Sequence, residues 1–393
     1  MDLKQWGSLA DSRHAVDRIT INSALIVLVF LSVLLLSSQS AASFATYLLG
    51  IAMLVCWREW LDVRHCALIW PTLGLLIYLP ISSFWSEGFS WSEFASQLAR
   101  GLLIFLFVVA FAECQLRGLL QRWLFTALVF TASVVSVACI AVFIWQPPVD
   151  GRLLGFGQLD AAVIAGIVFG FALIVALHQL LTHGYRNQPL VILATLPLIL
   201  AVVLTGSRGA ILASFSGAVT LLAAHFAGNT KRFIILCSIL AGVVGVAFFV
   251  VWTNADLRAA FFPRGDSFRL VIWQETLASL TQAPWFGMGI LSPDDVTRGD
   301  LVFQHPHNLF LAVAFQGGLV ALLGFAWLLL GVLGVLMRNM NAADARLGLG
   351  ILGLALPAYF VDGHELLDKV SDTWFLIWLP IAIALGLHWH KTY

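Results

Sequence analysis

Charge is what this chain has least of. Only 11% of its 393 residues are Asp, Glu, Lys or Arg, against 60% hydrophobic, and the formal net charge is zero. Soluble domains carry about 25% charged residues, so a wholly water-facing surface is excluded. A balanced charge also leaves nothing to attract a polyanion, and nucleic acid is not an expected partner. Cysteine is scarce too. Cys56, Cys66, Cys114, Cys139 and Cys237 lie in apolar segments or beside cationic loops, where no pair is placed to form a disulfide. No phosphate-binding Gly-rich loop or nucleotide fingerprint occurs between the apolar runs, which argues against a reaction driven by cytosolic nucleotide. No soluble domain, low-complexity segment or strong repeat is visible.

What remains is a succession of apolar runs from Ile21 onward. Most are roughly 17–25 residues, enough to cross a bilayer core about 30 Å thick, and the runs near 99–112 and 347–361 are shorter. Barrel strands would alternate apolar and polar residues, and a run such as 233–251 does not. The expected fold is all-α, a polytopic integral membrane protein forming one transmembrane domain over 1–393. About twelve spans are expected, near 21–37, 41–57, 66–83, 99–112, 123–144, 159–180, 189–206, 209–226, 233–252, 308–337, 347–361 and 373–388. The run from 308 is unusually long and is expected to tilt or to project beyond the bilayer. The first run follows Lys4, Arg13 and Arg18 without a clear cleavage site, so it is expected to be retained.

Lysine and arginine recur in alternate short loops, at Arg58, Arg64, Arg117, Arg186, Lys231, Arg338 and Arg346. That bias places both termini in the cytoplasm. The acids Glu87, Glu93, Asp150, Asp294 and Asp295 gather on the other face. The same parity puts the turn at Arg208 and the largest loop, 253–307, together outside, which in a bacterium is the periplasm. Within that loop, Ser267–Leu280 has the pattern of a short helix with Phe268, Ile272 and Trp273 on its apolar side, and 283–289 is a turn-rich connector.

Two polar patches abut apolar runs on this face. In Thr205-Gly206-Ser207-Arg208-Gly209, small neighbours let a ligand approach the backbone, and arginine suits forked phosphate recognition. An interfacial arginine snorkelling to headgroups fits the same sequence, and spacing alone does not choose. Arg258, Arg264 and Arg269 add cations, with Arg269 one turn before Trp273, although any one of them also suits a solvated face. In Gln304-His305-Pro306-His307-Asn308, His307 is the candidate general base. His305 and His307 with Asp300 are thin support for a metal site, and none is expected. Asp362, His364, Glu365, Asp368, Lys369 and Asp372 form a polar turn before the last span, in which one acid could orient the histidine or steady the arginines. Arg152 and Asp160 border another outside loop.

At these residues the chain resembles the O-antigen ligase family, within the superfamily that includes O-antigen polymerases and bacterial protein O-oligosaccharyltransferases. Arg208-Gly209-Ala210-Ile211-Leu212 matches an arginine, three residues and a leucine. His307, Asn308 and Gly318 match the histidine motif, whose last position departs at Ala321. Ser267-Phe268-Arg269-Leu270 with Trp273, Pro284 and Gly287-Met288-Gly289 resembles the outer-loop arginine segment. The resemblance implies a GT-C-like glycosyltransferase of the bacterial inner membrane with a periplasmic active site. It implies inverting transfer, without metal or cofactor, of a glycan from undecaprenyl diphosphate to a sugar of lipid A–core. His307 would be catalytic, with Arg208, Arg269, Arg264, His305 and Asn308 binding substrate. A polymerase would use the same donor with a second lipid-linked glycan as acceptor. A lipid-linked glycan transporter should instead carry its cations through the membrane core, whereas here they gather on one face.

Overall fold

The computed structural model describes residues 20–32, 39–229 apart from 117, 185 and 187, scattered positions in 231–253, and 268–389 apart from 299, 300, 304 and 364. The described residues begin with α1 (Thr20–Ser32), α2 (Gln39–Val55) and α3 (Ile69–Ile81). Two long helices follow, α4 (Trp91–Leu116) and α5 (Leu119–Trp145), then α6 (Ala162–His183), α7 (Pro189–Leu204) and α8 (Arg208–His225). After α9 (Arg269–Leu280) comes a small antiparallel hairpin of β1 (Val296–Arg298) and β2 (Leu301–Phe303), in the register Thr297 to Val302. The chain closes with α10 (Leu309–Arg338), α11 (Ala343–Val361) and α12 (Trp374–Trp389).

By length and composition, α4, Leu124–Trp145 of α5, α6, α10 and α11 are long and apolar enough to cross a membrane. Shorter apolar helices accompany them, and together they make a multi-pass membrane protein. Every expected span coincides with a helix except 233–252, most of which lies outside the described residues. The span expected at 99–112 is longer than anticipated, because α4 recruits the more polar Trp91–Arg100 as its first turns. Phe268, expected on the apolar side of α9, is instead exposed at the helix start, while Ile272 is buried as expected.

Small residues set the packing where the site is built. In a bilayer lipid tails are as apolar as Leu, so helices associate through close van der Waals approach. Along α8, a Cβ at Gly217 would lie 2.8 Å from Leu354 Cβ and 2.9 Å from the Gly350 carbonyl. Gly353 of α11 sits as closely against Thr220, and Gly170 of α6 against Ser214. The two helices run antiparallel, and Gly209 at the start of α8 meets Val361 at the end of α11. Close packing along their length thus brings the start of α8 against the end of α11.

The long helix α10 is broken rather than simply tilted. Gly318 has φ 66° and ψ −165°, outside the helical region. The connector after α9 fills the break: Met288 N–H donates to the Phe315 carbonyl at 2.7 Å and Gly289 N–H to Gln316 at 3.0 Å. In return Leu319 N–H reaches the Pro284 carbonyl at 2.9 Å and Val320 N–H that of Trp285 at 3.2 Å. Four of the groups freed by the break thus find partners, as irregular backbone inside an apolar bundle requires. A side chain at 318 would overlap the Trp285 carbonyl, so only glycine fits. The connector is anchored on its other side by Ser82 and Ser86, whose hydroxyls accept from Ile290 and Leu291 N–H.

Candidate active site

Four elements converge at one end of the bundle: the start of α8, the start of α9, the start of α10 and the end of α11. Asn308 caps α10, its carboxamide oxygen accepting from Phe310 and Leu311 N–H at 3.0 and 3.1 Å. That residue is buried, and its oxygen is committed to the cap. His307 precedes it with a left-handed backbone, φ 50°. Its N–H donates to His305 Nδ1 at 3.3 Å, and the two rings lie 4.0 Å apart between centroids.

The ring of His307 is held by Asp362, with Nδ1 3.1 Å from Oδ1. The same oxygen accepts from Gly363 N–H at 2.9 Å. Burial works against the Asp362 charge, but His307 and the Gly363 amide outweigh it and hold the carboxyl below its ordinary value. An ionised carboxylate can only accept, so His307 Nδ1 carries the proton and Nε2 bears the free lone pair.

The cations sit at helix starts. Arg208 opens α8, where Ser207 caps the helix by accepting from Ala210 N–H. Arg152 braces the preceding turn through Nε to the Thr205 carbonyl at 2.9 Å. Arg269 opens α9, and its Nε is buried without a hydrogen-bond partner among the described residues. One turn on, Trp273 packs edge-on against Phe360 with centroids 5.4 Å apart, docking α9 two residues short of Asp362. Arg264 lies outside the described residues.

Behind this arrangement lies a cavity of about 230 Å³, lined by His305, Asp362, Glu365, Asp368, Asp372 and Tyr359 together with Gln158. Its floor is the segment between α11 and α12. Trp374 and Trp378, both buried, donate indole N–H bonds to the Asp368 and Leu366 carbonyls and pin that segment down. Tyr359 donates to Asp372 Oδ2 at 2.7 Å. Burial, with the charges of Asp368 and Asp362 adding to it, pushes the Asp372 carboxyl up to about 6. Arg100 of α4 reaches Glu365 at 3.5 Å.

Residues 193–326 match the family model described as O-antigen ligase. The chain is also 28% identical over 324 residues to an O-antigen ligase of Pseudomonas aeruginosa, spanning 79% of this chain and 77% of that one. The matched region contains Arg208, Arg264, Arg269, His305, His307, Asn308 and Gly318. It ends before α11, so the family match does not reach Asp362, whose place is visible only through its contact with His307. Sequence reasoning placed Asp362 within a group of six polar residues without singling it out. It missed Arg100 and Tyr359 altogether: both sit inside apolar helices, and only their partners in the 362–372 segment mark them.

Proposed function

We propose that this protein is an O-antigen ligase, transferring a glycan from undecaprenyl diphosphate to a sugar of lipid A–core. On this reading it is a GT-C-like glycosyltransferase of about twelve spans in the bacterial inner membrane, with its site facing the periplasm. The observation that carries the proposal is the His307–Asp362 pair at 3.1 Å, set among the helix starts that bear Arg208 and Arg269. The match to the O-antigen ligase family over 193–326 supports it.

The chemistry is a single displacement. An acceptor hydroxyl gives its proton to His307 Nε2 while its oxygen attacks the anomeric carbon from the face opposite the diphosphate. The new glycosidic bond forms as the carbon–oxygen bond to phosphate breaks, and the configuration inverts. Undecaprenyl diphosphate leaves with the bonding pair, and Arg208 and Arg269 neutralise the charge that develops on it. Asp362 keeps the imidazole turned and stabilises it when protonated. No step calls for a metal ion.

The test is reconstitution of purified protein with lipid-linked glycan and either lipid A–core or a second lipid-linked glycan. Glycan joined to lipid A–core is the expected product. A lengthened lipid-linked chain would make the protein a polymerase, and transbilayer movement without any new bond would make it a transporter.

A further inference from the structure

A second cavity, of about 640 Å³, lies between α2, α4 and the segment after α11. Its walls mix two chemistries. Ser40, Ser43, Thr46 and Ser96 contribute hydroxyls, and Arg100 and Lys369 contribute cations. Phe44, Tyr47 and Leu103 are apolar, and Trp374 is buried beneath them. The mouth opens sideways: Phe44 and Tyr47 are 64% and 54% exposed, and the same side of α2 continues with exposed Leu48, Ile51 and Val55. Such a surface belongs against lipid tails, so the cleft can be entered from within the bilayer. It also adjoins the His307 side of the molecule. Asp368 lines both cavities, and Arg100 on the wall of one is paired with Glu365 on the wall of the other.

We propose that this cleft is the acceptor site, taking the anionic, phosphate-bearing sugar headgroup of a membrane-anchored glycolipid that enters laterally between α2 and α4. The inference rests on the ligase reading above, in which the donor diphosphate is held by Arg208 and Arg269. Hydroxyl-bearing side chains suit a polyhydroxylated headgroup, aromatic faces suit sugar rings, and Arg100 and Lys369 suit its phosphates. The lateral mouth explains how an acceptor that cannot leave the membrane reaches a polar site.

The test uses the full chain in nanodiscs. A photo-crosslinking amino acid at position 43 should capture purified lipid A–core. Excess phosphatidylglycerol should not compete, whereas unlabelled lipid A–core should. Ser43→Trp and Ser96→Trp fill the cleft, and Lys369→Glu reverses an exposed charge without disturbing packing. Each should raise the acceptor KM about tenfold, leaving the donor KM and donor binding unchanged. Capture that phosphatidylglycerol abolishes would make the cleft a general lipid contact and overturn the proposal. So would a shift confined to the donor KM, or absence of capture together with unchanged acceptor KM. Capture depends on binding alone, so a protein that binds lipid A–core here but transfers nothing to it would sink the ligase reading and leave this site standing.

Discussion

His307 occupies a backbone region that few residues with a Cβ adopt, and histidine is among the few that tolerate it. Such a conformation costs on the order of 1–3 kcal/mol. Two sets of contacts offset it: the Asn308 cap that starts α10, and the Asp362 carboxylate that receives the ring. Asp372 behaves differently from Asp362. Its folded value of about 6 stands above the ordinary 3.8, so between those values the folded protein holds a proton that the unfolded chain has released. The stability this proton contributes is full below 3.8 and is lost as pH rises through about 6. A shift of about two units corresponds to at most ~3 kcal/mol. Thermal unfolding in detergent should therefore show the wild-type midpoint falling over this interval, with a flatter profile for Asp372→Asn. Identical slopes in the two proteins would count against a buried, proton-holding Asp372.

At the scale of elements, the break in α10 carries a prediction of its own. Gly318→Ala introduces a Cβ where the Trp285 carbonyl sits, at a positive φ that alanine resists. A cost of at least ~1–3 kcal/mol is expected, read as a lower unfolding midpoint. Loss of transfer should accompany it, because the connector from α9 docks in that break. An unchanged midpoint would mean the helix is continuous in the working protein. This element also separates what the sequence reveals from what it hides. The residue types at Arg208, Arg269 and His307 mark them only as candidates, whereas the apolar runs announce the helices. The role of Gly318 was hidden, since a motif glycine reads equally as helix packing or as a break. The turn-rich stretch 283–289 was legible as a connector, but its docking into α10 depends on four hydrogen bonds that join positions far apart in the chain. Asp362 was obscured for the same reason: 55 residues separate it from His307, and five polar neighbours share its turn.

Across the whole molecule, the ends of the bundle differ in kind. Arg338 and Arg346 flank the turn from α10 to α11, where Gln115 Nε2 also donates to Asp344 at 2.9 Å. Asp362, Glu365, Asp368 and Asp372 lie at the opposite end of α11 with His307. On the proposed orientation the α10–α11 turn faces the cytoplasm, where short loops are enriched in lysine and arginine. Cysteines placed at the exposed positions Asp295 and Lys369 should be labelled from the periplasm by an impermeant reagent, and one at Asn341 only after permeabilisation. The reverse pattern would move the site to the cytoplasm and remove the proposed donor from its reach. On the proposed mechanism, His307 takes the acceptor proton while Asp362 holds its ring. That step is tested most directly by single-turnover transfer to lipid A–core with purified His307→Ala, Asp362→Asn and the double variant, donor binding being measured in each. General-base loss should lower the rate of His307→Ala by about 10²–10⁴-fold with the donor still bound. Asp362→Asn should lower it too, and adding that change to His307→Ala should cost almost nothing more, because the carboxylate acts only through the imidazole. Near-normal turnover by His307→Ala, or losses that multiply fully in the double variant, would contradict the account.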